Sequence, residues 1–273
     1  MTTDTAEDND DGGPTGGATP YADWMFDPDE IDAESAGFGY VDVPALLDSG
    51  AKSGAELESY YRDMFGDRLT VEDVEAMEYS FTVNQFVGLA GDVDGASLAD
   101  GLGLSETEGY RDFTVYGDGR GYLLAESDEY VLAARGAYGI DSDTRTELEL
   151  AVDTFLGDSD RYVESAAVYG ELVSRVAGGT VAYGELPAPS VAQAAGESEF
   201  LETAVSQEIR NDSLVFTVVE LYGGEADIDL AAVESKYAGW PSEDVTVRSS
   251  SQEGRLAVVE LEGGLGDIQL EPI

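Results

Sequence analysis

Residues 86–102, FVGLAGDVDGASLADGL, and residues 216–233, FTVVELYGGEADIDLAAV, decide how this chain is read. Each opens on apolar, β-branched and aromatic residues, which suit a pleated, half-buried strand. Each then breaks at an acidic glycine turn, at 91–95 and at 223–227, and resumes with apolar residues at helical spacing. Both stretches therefore predict strand, turn, helix. Working outward, the order strand, strand, short helix, strand, strand covers 75–126 and recurs over 200–262, with helical segments ahead of each. This is the pattern of a degenerate internal repeat. The expected fold is α+β: two related units of antiparallel sheet with helices on one face, the first over 21–128 and the second over 129–273.

Local signals fill in the elements. Ser53-x-x-Glu56 is a capping-box pattern, followed by Leu57, Tyr60, Tyr61 and Met64 on one helical face and Gly66 as the stop. Thr144-x-x-Glu147 opens a second helix with the stripe Leu148, Val152, Phe155, ended by Gly157. A third helix is expected from about Asp160 to Gly178, and a fourth from near Asp227 to a point before Pro241. Strands are expected at 75–83, 85–91, 110–117, 120–126, 129–135, 179–185, 200–209, 213–222, 244–250 and 255–262. Asp118-Gly119 reads as a two-residue hairpin turn, and Gln252-Glu253-Gly254 as a looser one. Residues 1–20 are Asp, Gly, Thr and Pro with almost nothing to bury, and predict a flexible acidic tail. Aromatic residues begin at Tyr21, where the folded part should start.

Composition narrows the function. The chain has 58 acidic and 13 basic residues, no histidine and no cysteine, for a formal charge of −45 over 273 residues. In dilute salt such charge opposes compaction. Molar salt shortens the Debye length to about 3 Å and removes most of that repulsion. The chain is therefore expected to need high salt, as a protein of a haloarchaeal cell would, and the use of lysine at Lys52 and Lys236 alone agrees with this. A phosphate backbone needs a basic footprint that thirteen scattered cations do not supply, so nucleic acid and anionic membranes are excluded as partners. Without His or Cys there is no imidazole relay and no ordinary zinc, haem or iron-sulfur site. No stretch approaches the roughly 20 apolar residues that span a bilayer.

The motifs have plain readings. Ser49-Gly50-Ala51-Lys52 has the S-x-x-K spacing of serine β-lactamases but lacks their other elements. Acidic pairs such as Asp92/Asp94, Asp141/Asp143 and Asp27/Asp29 are expected anywhere in a chain with 58 acids, and none continues as an EF-hand. Gly117-x-Gly119-x-Gly121 falls in a hairpin, so it is not a dinucleotide fingerprint. Asn211-Asp212-Ser213 is a glycosylation sequon in a turn, which requires export to be used. Tyr60, Tyr61 and Tyr79 could form a sugar-binding platform, against the simpler expectation of core packing. No catalytic, cofactor-binding or metal-ligating residue is assigned.

The stretch YADWMFDPDEIDAESAGFGYVDVPALL at 21–47 resembles uncharacterised haloarchaeal secreted lipoproteins. Trp24 to Pro28 and the aromatic-x-aromatic-x-Asp strand from Phe38 to Asp42 carry the likeness, with Tyr110-x-x-Phe113-x-Val115-Tyr116 later in the chain. The resemblance implies a leader and a lipid-modified cysteine ahead of an acidic linker. Neither is present here, so the expectation is either that a leader has been removed and the protein sits at the cell surface, or that it is cytoplasmic. It carries no functional residues with it. The function expected is a non-enzymatic halophilic cell-surface or binding protein of unidentified ligand. The alternatives are a carboxylate-dependent hydrolase working in the crease between the two units, and an assembly protein that binds another protein.

Overall fold

The computed structural model describes residues 19–135, 144–197, 199–225 and 228–270. The expected tail lies, but for Thr19 and Pro20, outside them, as does the pair Asp141/Asp143. The described chain begins with a 3-10 turn, Pro20–Trp24, whose aromatic residues are buried at once. Its strands are β1 (Ser35–Val41), β2 (Met77–Val83), β3 (Phe86–Gly91), β4 (Ser105–Glu106), β5 (Thr114–Gly117), β6 (Tyr122–Glu126), β7 (Tyr130–Arg135), β8 (Val181–Pro187), β9 (Phe200–Arg210), β10 (Ser213–Tyr222), β11 (Thr246–Glu253) and β12 (Leu256–Gly264). Its helices are α1 (Val43–Ser49), α2 (Gly54–Phe65), α3 (Val71–Glu75), α4 (Gly95–Leu102), α5 (Thr144–Leu156), α6 (Ala167–Val176), α7 (Pro189–Ala194) and α8 (Leu230–Tyr237).

The helix starts follow from the capping chemistry. Ser53 and Glu56 form the expected reciprocal box, and Thr70 with Asp73 forms a second one at α3. Asp94 and Asp229 cap α4 and α8 by accepting from Ser97 N at 2.8 Å and Ala232 N at 3.1 Å. In the described residues the two stretches thus share a strand, a helix and a capping carboxylate. The helix expected from Asp160 starts later, at Ala167, after a separate 3-10 turn at Tyr162–Glu164.

All twelve strands form one sheet, in the order β11-β12-β10-β9-β8-β1-β2-β3-β7-β6-β5-β4. Every pairing is antiparallel. Read outward from the middle, β8-β9-β10-β12-β11 and β1-β2-β3-β7-β6 have the same order and the same alternation of direction. The two series meet at the β1–β8 pair, where Phe38 faces Gly184. Because that pair is antiparallel, a two-fold axis normal to the sheet would relate the series, with α4 and α8 on the same face.

Two boundaries move. The counterparts of β11 and β12 are β6 and β7, not β5 and β6, so 200–262 matches a stretch running to Arg135 rather than to 126. A division after residue 128 would cut the β6–β7 pair and part β7 from β3. The physical reason is the extra β4–β5 pair at one edge, which has no counterpart in the second series. The Asp118-Gly119 hairpin is real, but its loop is longer than two residues, since Gly117 pairs with Leu123. The Asp118 carboxylate accepts from Arg120 N and Tyr122 N to hold that loop.

The strands alternate their side chains between two buried clusters. In β7, Leu132 and Ala134 point into one, while Val131 and Ala133 point into the other. The second cluster takes α1 to α4 and α8. The first is covered by the Pro20–Trp24 turn, α5 and α6, with Trp24 stacked on Phe155 and Phe81 at ring-centre distances of 4.1 and 5.3 Å. Helices therefore cover both faces rather than one. A twelve-stranded sheet rich in apolar residues on alternate positions leaves too much apolar area for one layer of helices to hide.

Candidate functional site

Helical cover differs between the two sides of the seam. Between β1 and β2 the chain places α1, α2 and α3, but between β8 and β9 it places only the short α7, which buries none of its residues. A groove of about 920 Å³ is left over β2, β1, β8 and β9. Asp63 and Met64 of α2 line one side, and Tyr237 of α8 and Trp240 the other. Gly37 keeps its floor low. An added Cβ on Gly37 would meet nothing within 4 Å, so the space above it belongs to the groove. At Gly184 the backbone of β9 approaches so closely that a Cβ would lie 2.6 Å from Ala204.

The walls are aromatic and the charge is negative. Tyr183, Phe200, Tyr237 and Trp240 face the groove together with Glu185 and Glu202, and no lining residue is basic. Glu185 accepts a 2.8 Å hydrogen bond from the Ser35 hydroxyl. Among the described residues neither Glu185 nor Glu202 takes part in an ion pair. Burial first, and then the neighbouring charge of Glu185, push the Glu202 carboxyl up to about 7. The pair therefore carries less than two full negative charges near neutral pH.

A second polar network backs one wall. Glu220 is buried and accepts from three donors: Lys236 Nζ at 2.5 Å, Tyr237 OH at 2.8 Å and Tyr222 OH at 2.7 Å. Burial alone would raise its pKa, but these donors outweigh burial and hold the carboxyl below its usual range. Lys236 also lies 4.8 Å above the centre of the Phe200 ring at the groove rim. Its charge is thus already matched by Glu220.

The residues singled out from sequence have other places. Ser49 Oγ donates to Leu46 O at the end of α1, an ordinary helix-end contact. Asp27 caps a 3-10 turn and Asp29 accepts from Ser190, so that pair holds chain to chain. Asp92 and Asp94 line an acidic cleft with Glu78, Glu126, Asp128 and Glu129, yet no group of three acids in the described residues is placed to hold a metal ion. Tyr60, Tyr61 and Tyr79 do not form a platform. Tyr61 is buried with its hydroxyl 2.5 Å from Ser80 Oγ, and Tyr79 packs against the opposite cluster with its hydroxyl on Tyr130. Asn211 is exposed in the β9–β10 turn with a φ of 56°. Sequence reasoning missed Glu185 and Glu202, because among 58 acids nothing local marks two that share a groove.

No family model matches the chain, and no curated protein matches it. Solved structures do. Crystal form III of TP0453 superposes with a TM-score of 0.53 at 9% identity, over 89% of this chain and 96% of that one. Crystal form IV gives 0.49 at 9% identity. At such identity the likeness to the first is one of fold alone. It means that this α+β arrangement is one that a very different sequence also adopts.

Proposed function

We propose that this is a binding protein without catalytic activity, built from two related units and taking a small ligand in the groove over the seam where they meet. The observation that carries the reading is the groove itself. It has the volume of a small-molecule site, and aromatic walls with a few polar groups are what such sites use. The acidic composition supports a protein of a high-salt setting, and the likeness to secreted haloarchaeal lipoproteins supports work at the cell surface. No helix among the described residues is long and apolar enough to cross a membrane. The Asn211 sequon is then an exposed acceptor for glycosylation.

The test uses Nile red, a neutral solvatochromic dye, in 2 M KCl. Binding in the groove should brighten and blue-shift the dye and quench Trp240. Gly37→Leu fills the groove from the floor without a backbone clash and should abolish both signals. Dye binding that survives Gly37→Leu unchanged would remove the groove from the reading.

One observation favours a second reading, a carboxylate-dependent hydrolase in the same crease. Glu202 is raised towards neutrality in a groove that holds a second carboxylate, and a carboxyl so raised can serve as a general acid. Turnover of p-nitrophenyl glycosides or esters, lost in Glu202→Gln, would establish it. The assembly reading gains less: the exposed large apolar residues Leu156, Val191 and Phe200 stand on three different elements, α5, α7 and β9.

A further inference from the structure

The groove is acidic, aromatic and lined by no basic residue, and together these properties select a class of ligand. We propose that it takes an organic cation, an ammonium or quaternary ammonium group on an apolar body. The cationic group sits against Glu185 and Glu202, and the body lies on Tyr183 and Trp240. This rests on the groove being the binding site.

Charge complementarity is the first argument. Two carboxylates unmatched by any ion pair among the described residues face one cavity, and bringing a cation between them relieves their mutual repulsion. In molar salt only direct contact survives screening, so the ligand must touch the carboxylates rather than be steered from afar. An inorganic cation could satisfy the acids but would leave the aromatic walls idle. An ammonium group uses both, since aromatic faces attract cations within about 6 Å of their centres. The protein already contains such a contact at the groove rim, where Lys236 Nζ stands 4.8 Å from the Phe200 ring centre and 5.1 Å from that of Tyr237. That ammonium is committed to buried Glu220 and so does not neutralise the groove.

The pair also makes binding depend on pH. The charge acting on Glu202 is Glu185 from β8; Asp63 of α2 lines the same groove, and Lys236 of α8, at its rim, is paired with Glu220. A cation favours the ionised pair, so its affinity should rise as pH increases from 6 to 8. A neutral ligand should not follow.

The experiment is calorimetric titration of the full chain in 2 M KCl at pH 8 with three probes sharing a phenyl group: benzyltrimethylammonium, benzyl alcohol and benzoate. The expected result is that the cation binds at least tenfold more tightly than the alcohol and that benzoate does not bind. The Glu185→Gln/Glu202→Gln double variant should bring the cation down to the alcohol's affinity, and Gly37→Leu should remove both. Equal affinity for cation and alcohol, with both lost in Gly37→Leu, overturns the charge inference and leaves the groove reading standing. Binding of the probes that is indifferent to Gly37→Leu, or no binding by any probe, overturns both.

Discussion

Glu202→Gln should change how stability responds to pH, and this chain is unusually suited to show it. It has no histidine and no cysteine, so between pH 5 and pH 8.5 few groups other than its amino terminus would ordinarily titrate. The carboxyls of Glu56, Glu208 and Glu220 are held low and titrate below this window. Glu202 is raised from 4.5 to about 7, by burial and then by Glu185. A carboxyl raised on folding binds more protons in the folded than in the unfolded state between those two values, so stability is greatest at the low end and falls as pH rises through 7. The full rise corresponds to about 3 kcal/mol. The side chain is only partly buried and the working solution is molar salt, so screening reduces the expected loss to about 1 kcal/mol. Urea denaturation in 2 M KCl at pH 5 and pH 8.5 measures it. The wild type should lose about 1 kcal/mol between the two, Glu202→Gln should lose little, and Glu185→Gln should lie between them because burial of Glu202 persists. Identical pH dependence in wild type and Glu202→Gln would refute the account of the groove's electrostatics.

Three further outcomes are expected. Gly88→Ala places a Cβ 2.1 Å from Phe81 Cζ, so that ring must shift, and the variant should lose about 1–3 kcal/mol by urea denaturation with its fold retained. Lys236→Met leaves buried Glu220 with two tyrosine hydroxyls and should cost about 1–2 kcal/mol; unlike loss of a surface ion pair, the cost should persist in 2 M KCl. The melting temperature of the wild type should rise markedly between 0.1 and 2 M KCl, followed by circular dichroism, because screening relieves the repulsion of a chain carrying −45; a flat response would remove the salt argument.

What the chain's order of residues determined is local. The Ser53/Glu56 box and the glycine stops at Gly66, Gly157 and Gly178 depend on neighbours a few residues apart and are found where they were expected, while the strand runs are found with shifted ends, 110–117 shortening to Thr114–Gly117 and 75–83 to Met77–Val83. The fold class and the shared order of elements follow from these. Partner choice does not, because alternation of apolar residues tells a strand which face to bury but not which strand to lie beside. Four strands follow α4, and only the sheet shows that β6 and β7, with β4 and β5 added outside them, correspond to β11 and β12. The same holds for β1, whose place beside β8 joins the two series. The groove is a product of that union: it lies over the seam, where helices of one series stop short of helices of the other. Glu185 and Glu202 acquire their chemistry only there, since burial and a shared cavity, not sequence spacing, set one carboxyl against its neighbour.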